Sequence, residues 1–227
     1  MAQTCSPTTK LVAAAIIAVV IISALTAFAY NNSNAALRST AQWGLESTAG
    51  VMATQINASD LQGLKPGDEN TPQYLAVAAK LRTMRSMNDD LLNAYIIKVN
   101  TTDMSTSFLV DDLYPLDPSG SAKIGEAYNP PDKLEILEAL SGPTASPVPY
   151  TDPWGTFMSA YAPIDDSAAG SNGNTYAVLG LDVSADDYVA ATTHGGWIIA
   201  TGVVSIITVL ALLYTFGRRA GGNGPAP

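Results

Sequence analysis

Five residues in the C-terminal third of the sequence could together hold a small molecule. Trp154, Tyr161 and Tyr176 supply aromatic walls, and Ser159 and Asp182 offer a hydroxyl and a carboxylate. Asp182 stands within an apolar run that favours a β-strand, where an unpaired carboxylate would be costly. We therefore expect Asp182 to have a polar partner, either a bound molecule or another part of the chain.

Tyr95 and Tyr128 are two further candidates for the same pocket, because a hairpin and a loop upstream could bring them to it. Packing is the alternative role for both tyrosines. Trp154, in the sequence Asp-Pro-Trp-Gly, could likewise anchor a loop instead of covering a ligand.

The sequence contains few residues in a spacing that would indicate catalysis or metal binding. His194 is the only histidine, and no Ser/His/Asp, Cys/His or zinc-ligand spacing is present. Asp111, Asp112 and Asp117 form an acidic cluster, but they lack the alternating spacing of a calcium loop. We predict a binding protein that is not an enzyme, with no catalytic residue, no metal site and no cofactor.

The candidate residues need strands to position them. Side chains two apart on a strand share a face, which predicts one row of Phe157, Ser159, Tyr161 and Pro163 and a second row of Met158, Ala160 and Ala162. The alternating pattern predicts strands at 93–100, 105–112, 156–164 and 175–183. Three- and four-residue apolar spacing predicts helices at 35–57, 72–88 and 132–140. This order predicts an α+β domain in which the long N-terminal helices cover one face of an antiparallel sheet.

Two apolar segments flank this domain. Residues 11–30 and 197–216 are each twenty residues long without a formal charge, and about 30 Å of helix crosses a bilayer core. Lys10 before the first segment, with Arg218 and Arg219 after the second, predicts cytoplasmic termini. We expect tails at 1–10 and 217–227, transmembrane helices at 11–30 and 197–216, and an extracytoplasmic domain at 31–196. Cleavage of the first segment as a signal peptide, after the Ala-Phe-Ala at 27–29, is the alternative.

The charge distribution agrees with an exterior domain. Residues 31–196 contain eight basic and twenty acidic residues, a net charge of −12. Such a domain is poorly suited to nucleic acid or to anionic lipid headgroups. Cys5, the only cysteine, lies outside this segment, so the domain has no disulfide.

The hairpin sequence resembles a known family. The matching residues are Asp152, Trp154-Gly155-Thr156, Ser159, Tyr161, Pro163-Ile164, Gly180 and Asp182. They are similar to the closing hairpin of extracytoplasmic Cache domains, the PAS-like sensor modules of prokaryotic histidine kinases, chemoreceptors and cyclases. The resemblance covers roughly residues 35–190 and is closest to archaeal single-module versions. The loop of this hairpin is longer than in the family, and the cytoplasmic output domain of those receptors is missing.

The resemblance implies a small-molecule pocket between the sheet and the loops above it, for an amino acid, a carboxylate or an amine. It implies that Asp182 holds an ammonium group; capping the backbone amides of a neighbouring loop is the alternative. Without an output domain, a signal would pass laterally through the membrane helices to a second copy or to another membrane signalling protein. A cell-surface structural or adhesion protein, or an accessory subunit of a membrane complex, could instead use the same fold as a scaffold.

Overall fold

The computed structural model describes residues 7–165, 175–193 and 195–221. It divides the chain into two compact units, one formed by Met1–Arg38 with Thr192–Pro227 and the other by Ser39–Ala191. The outermost tail residues predicted at the two termini, His194 and most of the loop between the last two predicted strands lie outside the described residues.

The first unit consists of two apolar helices. Helix α1, Pro7–Ala53, runs without a break for 47 residues, so the first apolar segment and most of the predicted helix at 35–57 form one helix. The last helix, Gly196–Gly221, contains the second apolar segment. Both are long and apolar enough to cross a membrane. Large apolar side chains such as Leu25 and Phe28 are more than 60% exposed, as expected for residues that face lipid.

The two helices of this unit pack closely at two glycines, Gly202 in the last helix and Gly195 just before it. A Cβ atom on Gly202 would collide with the side chain of Thr26, and one on Gly195 would collide with the ring of Tyr30. Small residues at such points allow helix backbones to approach each other.

The second unit is built on a six-stranded antiparallel sheet. Its strands are β1 (Leu91–Asn100), β2 (Ser105–Asp111), β3 (Thr144–Ala145), β4 (Tyr150–Asp152), β5 (Gly155–Asp165) and β6 (Thr175–Ser184). The order across the sheet is β2-β1-β6-β5-β3, and β4 also pairs with β5. All pairs of strands are antiparallel. The four long strands were predicted from the sequence, whereas β3 and β4 were not.

Helices cover one face of this sheet. The C-terminal part of α1 and helix α2 (Pro72–Arg85) contribute apolar residues to a core cluster with the even-numbered residues of β5. Thr71 caps α2 by accepting a hydrogen bond from the Tyr74 amide, and Pro72 occupies the first turn, where its missing N–H is tolerated. The predicted α+β class and the helices on one face of the sheet are confirmed.

A second cluster occupies the opposite face of the sheet. It combines Tyr95, Phe108 and Tyr161 with the short helix α3, Lys133–Glu138. The strand β5 therefore divides its side chains as the alternation predicts: Met158, Ala160 and Ala162 face the helices, and Tyr161 belongs to the opposite side. After β6 the chain enters helix α4, Ala185–Thr192, and then the last helix, which is α5.

Candidate functional site

Asp182 lies at the centre of the face opposite the helices. It is 3% exposed and accepts three hydrogen bonds from side chains. Ser159 Oγ and Tyr95 Oη donate to Oδ1 at 2.6 and 2.9 Å, and Asn93 Nδ2 donates to Oδ2 at 3.1 Å. These donors come from the two strands that flank β6, where Asn93 and Ser159 are the register partners of Asp182. All three donors are side-chain groups. These hydrogen bonds therefore differ from the alternative role, in which Asp182 would cap the backbone amides of a loop.

Burial dominates the electrostatics of Asp182. Loss of water around the carboxylate raises its pKa to about 7, although the hydrogen bonds from Ser159, Asn93 and Tyr95 favour the charged form. The charge of Asp152 raises the pKa further. A carboxyl group in this state can exchange a proton near neutral pH.

A glycine makes room for one of these donors. Gly180 is the register partner of Tyr95, and a Cβ atom at Gly180 would collide with the tyrosine ring. The ring can therefore lie across the β6 backbone and bring its hydroxyl to Asp182, two residues further along the strand.

Aromatic rings surround the carboxylate. Phe108 contacts Tyr95, Tyr128 and Trp154 with ring centroids 4.6–5.5 Å apart, and Tyr128 also lies 6.0 Å from both Tyr95 and Trp154. Tyr128 reaches this position because its segment runs along the outer edge of β2: its amide donates to the Thr106 carbonyl at 2.9 Å, and the Thr106 hydroxyl donates to the Tyr128 carbonyl.

A tight turn positions Trp154. The strands β4 and β5 form a hairpin in which Asp152 pairs with Gly155. Oδ1 of Asp152 accepts hydrogen bonds from the amides of Trp154 and Gly155 at 2.8 and 3.1 Å, and Oδ2 accepts one from the Tyr128 hydroxyl at 3.2 Å. Asp152 therefore holds the tryptophan loop against the tyrosine.

These residues line a cavity of about 390 Å³ that is open to solvent. Its walls contain three carboxylates, Asp111, Asp152 and Asp182, and five aromatic rings, Tyr95, Phe108, Tyr128, Trp154 and Phe157. Among the described residues, neither lysine nor arginine lines this cavity. The walls are therefore suited to a cation that also presents apolar surface.

The predicted site residues fall into three groups. Trp154, Tyr95, Tyr128 and Asp182 line the cavity, and Ser159 lies directly behind Asp182. Tyr161 is fully buried below them and donates to Asp132 Oδ2 at 2.9 Å.

Tyr176 is placed elsewhere. Its ring packs against the helix-side core and lies under Lys98 Nζ, 3.5 Å from the ring centroid. The register steps from Ile164–Ala177 to Asp165–Thr175, so Tyr176 is the extra residue of a β-bulge. A bulge reorients a side chain that simple alternation would place on the other face. The prediction that Tyr176 lies in one pocket with Trp154 and Tyr161 is wrong, because the bulge turns its side chain to the helix side of the sheet.

A buried hydrogen-bond network that the sequence did not predict connects the site to a second carboxylate. The Tyr150 hydroxyl lies 2.9 Å from Ser159 Oγ, 3.1 Å from Tyr128 Oη and 3.2 Å from Tyr161 Oη. Tyr161 and Ser146 both donate to Asp132. Tyr150 is therefore the hub between the cavity and Asp132. The Asp-Pro-x-Gly turn after it was the signal that could have revealed β4.

The acidic cluster at the end of β2 and in the loop that covers the cavity, residues 112–132, does not converge on one point. Asp111 accepts from the amides of Leu113 and Ala122, and Asp117 accepts from Ser119 and Gly120. Asp112 instead forms an ion pair with Arg85 Nε at 2.7 Å. Each carboxylate therefore has its own partners, and Asp112 binds to α2 and to the Ala94 amide of β1 instead of the loop.

Neither protein-family models nor curated proteins give a match to this chain. The assignment of a role to the cavity therefore depends on its geometry and charge.

Proposed function

We propose that the chain is a membrane-anchored, extracytoplasmic sensor of the Cache type that binds a small organic cation. The observation that carries this proposal is the cavity itself, with a buried carboxylate at its base and aromatic rings around it. Its volume of about 390 Å³ falls within the range of small-molecule sites, about 300–1,000 Å³.

The charge of the walls narrows the ligand class. A free carboxylate would face Asp111, Asp152 and Asp182 without a basic side chain in the cavity lining. Among the amino acids, carboxylates and amines implied by the resemblance, amines are therefore favoured. Ammonium groups bind to carboxylates and to the faces of aromatic rings, and desolvation strengthens both interactions.

The surrounding architecture supports a membrane sensor. A sheet covered by helices on one face and a cavity on the other is the arrangement that the Cache resemblance implies. Two helices apolar enough to cross a membrane flank the sheet in sequence. We propose a two-pass topology with both termini in the cytoplasm. Strand β6, which carries Asp182, continues through α4 into α5, so a ligand at Asp182 acts on the strand that leads into the second proposed span. The signal then passes to a second copy or to another membrane protein.

The proposal can be tested with the full chain in lipid nanodiscs. Thermal unfolding is measured with methylammonium, tetramethylammonium, putrescine, acetate and glycine. Binding to the folded state adds about 2.7 kcal/mol at a ligand concentration 100-fold above Kd. We expect stabilisation by at least one amine and none by acetate.

Two variants and one control make this test specific. Trp154→Ala and Asp182→Asn should each weaken amine binding at least tenfold. Tyr176→Phe alters an aromatic residue outside the cavity and should bind like the unchanged protein. Absence of stabilisation by every amine, or equal binding by all four proteins, would refute the proposed site.

A further inference from the structure

Tyr150 and the hydroxyl groups around it have fewer hydroxyl protons than hydrogen-bond contacts. Ser159, Tyr128 and Tyr161 each contact a carboxylate, Asp182, Asp152 and Asp132 respectively. Each of these three hydroxyls also contacts the hydroxyl of Tyr150.

The number of protons can be compared with the number of contacts. When all three carboxylates are ionised, they accept the protons of Ser159, Tyr128 and Tyr161, because an ionised carboxylate can only accept. Tyr150 then has one proton for three oxygen neighbours. Two of its three contacts are left without a hydrogen between the oxygens. Buried oxygens that face each other without a proton lose the hydrogen-bond energy that would offset their desolvation.

One added proton relieves much of this deficit. If Asp182 is protonated, it can donate to Ser159, which is then free to donate to Tyr150. Tyr150 in turn donates to Tyr128 or Tyr161, so two of its three contacts contain a hydrogen. The direction of the hydrogen bonds behind the cavity therefore depends on the protonation of Asp182.

Among the described residues, the surroundings of Asp182 contribute no positive charge to replace that proton. The groups that face it are neutral or acidic: Asn93 and Tyr95 from β1, Asp111 from the end of β2, Tyr128 from the covering loop, Tyr150 and Asp152 from β4, and Ser159 and Tyr161 from β5. Asp132, at the far end of the network, is a further carboxylate with a raised pKa caused mainly by burial, and one of its buried oxygens has no hydrogen-bond partner in the part of the chain that the structure describes.

We propose that the cavity exchanges a proton for its cation: Asp182 is protonated when the cavity is empty and releases the proton to solvent when an organic cation binds. This inference rests on the proposed function for its ligand. The positive charge of the ligand replaces the proton next to Asp182, and no covalent bond to the ligand forms. Asp182 then only accepts hydrogen bonds, so Ser159 donates to it and the donor chain through Tyr150 reverses.

The network extends beyond the cavity in the same domain. Ser146, which donates to Asp132, presents its carbonyl to Gln42 Nε2 of α1 at 3.0 Å. The reversal that begins at Asp182 ends at Tyr150, because Tyr161 donates to Asp132 in both states. The contacts of Tyr161 and Ser146 with Asp132 connect Tyr150 to the segment that α1 contacts. The raised pKa of Asp182, about 7, agrees with a proton that is held in the empty cavity and released near neutral pH.

The first part of the experiment uses the ligand-free full chain in nanodiscs. Infrared spectroscopy detects the carbonyl band of a protonated carboxylic acid. Comparison of the unchanged protein with Asp182→Asn at pH 5 should isolate one such band, and it should disappear as the pH rises through about 7. If Asp182→Asn removes no band at pH 5, or if only Asp132→Asn removes one, the inference is overturned.

The second part measures the binding of tetramethylammonium, whose charge does not change with pH. Its affinity should fall about tenfold per pH unit below the pKa of Asp182 because a proton and the cation compete for one carboxylate. Calorimetry above and below neutral pH, in two buffers that differ in ionisation enthalpy, should detect release of about one proton per bound cation at the lower pH. Equal affinity at pH 5 and pH 8 would overturn the inference and leave the proposed function intact. Failure of methylammonium, tetramethylammonium and putrescine to bind at any pH would instead refute the proposed function, while the infrared band still decides the protonation of Asp182.

Discussion

Gly180 and Tyr95 are register partners on adjacent strands, and the tyrosine ring occupies the space that a side chain at position 180 would need. The same ring donates its hydroxyl to Asp182 at 2.9 Å. The absence of a side chain at one residue of β6 therefore determines which donors reach the carboxylate two residues later.

Gly180→Ala should displace Tyr95 and weaken both the fold and the site. Inserting a methyl group into a packed interior costs about 1–3 kcal/mol, so we expect a loss of that size in the free energy of unfolding. Amine binding should weaken together with the loss of the hydrogen bond to Asp182. Urea denaturation and amine titration of the nanodisc protein measure these two effects.

Gly142→Ala is the matched control, because among the described residues no atom beyond its chain neighbours lies within 4 Å of the Cβ position at Gly142. It should leave stability and binding nearly unchanged. If Gly180→Ala behaves like this control, the fit between Gly180 and Tyr95 does not matter for the site.

The stability of the ligand-free protein should depend on pH through Asp182. Its folded-state pKa of about 7 lies well above the ordinary value of an aspartate, so the folded state keeps a proton that the unfolded state has already lost between about pH 4 and 7. The free energy of unfolding should therefore fall as the pH rises through this window and level off above it. Asp182→Asn cannot ionise, so it should become more stable than the unchanged protein as the pH rises. Parallel pH curves for the two proteins would contradict this prediction.

Two neighbouring tyrosine hydroxyls, removed one at a time, should change the free energy of unfolding by different amounts. Tyr161→Phe removes a donor from buried Asp132, and a hydrogen bond to a charged group contributes about 1.5–3 kcal/mol. Tyr150→Phe removes a hydroxyl that has one proton for three oxygen neighbours, so it should cost less than 1 kcal/mol at pH 8. Chemical denaturation of both variants at pH 8 tests the order, and a larger loss for Tyr150→Phe would refute the proton count.

Arg85 should be needed to keep Asp112 buried. Asp112 is fully buried, and burial raises its pKa despite the ion pair with Arg85 Nε at 2.7 Å. Arg85→Met leaves the carboxylate without its charged partner and should cost about 3 kcal/mol of unfolding free energy.

The double variant Arg85→Met with Asp112→Asn removes the isolated charge. It should therefore be more stable than Arg85→Met alone, as measured by denaturation of the full chain. A double variant that is no more stable than the single variant would show that the ion pair contributes little.

The long elements of the fold could be predicted because their side-chain patterns are repeated over many residues. The even and odd residues of β5 separate into two environments, as the alternation indicates, and the apolar spacing of α1 continues through the first apolar segment. Strands β3 and β4 contain two and three residues, which is too short for a period to be visible. Tyr176 was misplaced because a β-bulge depends on the pairing of two strands and leaves no local signal.

The site was predicted in part. Trp154, Tyr95, Tyr128 and Asp182 were found because aromatic residues and a carboxylate stand out in strand and loop sequences. Tyr150 and Asp132 were missed because their roles depend on hydroxyl contacts between segments distant in sequence. The pairing of Arg85 with Asp112 was not predicted, because the two residues lie 27 positions apart in the sequence.

Alternate residues of strand β5 have two different roles. Its even positions, Met158 and Ala160, fill the core under the helices, and its odd positions, Ser159 and Tyr161, belong to the polar network. Point substitutions at odd positions can change the chemistry around the cavity without disturbing the core under the helices. A single-residue insertion or deletion would exchange the two faces and destroy both. Among descendants of this sequence, ligand preference can therefore diversify by replacement of residues in β5, while the length of the strand stays constant.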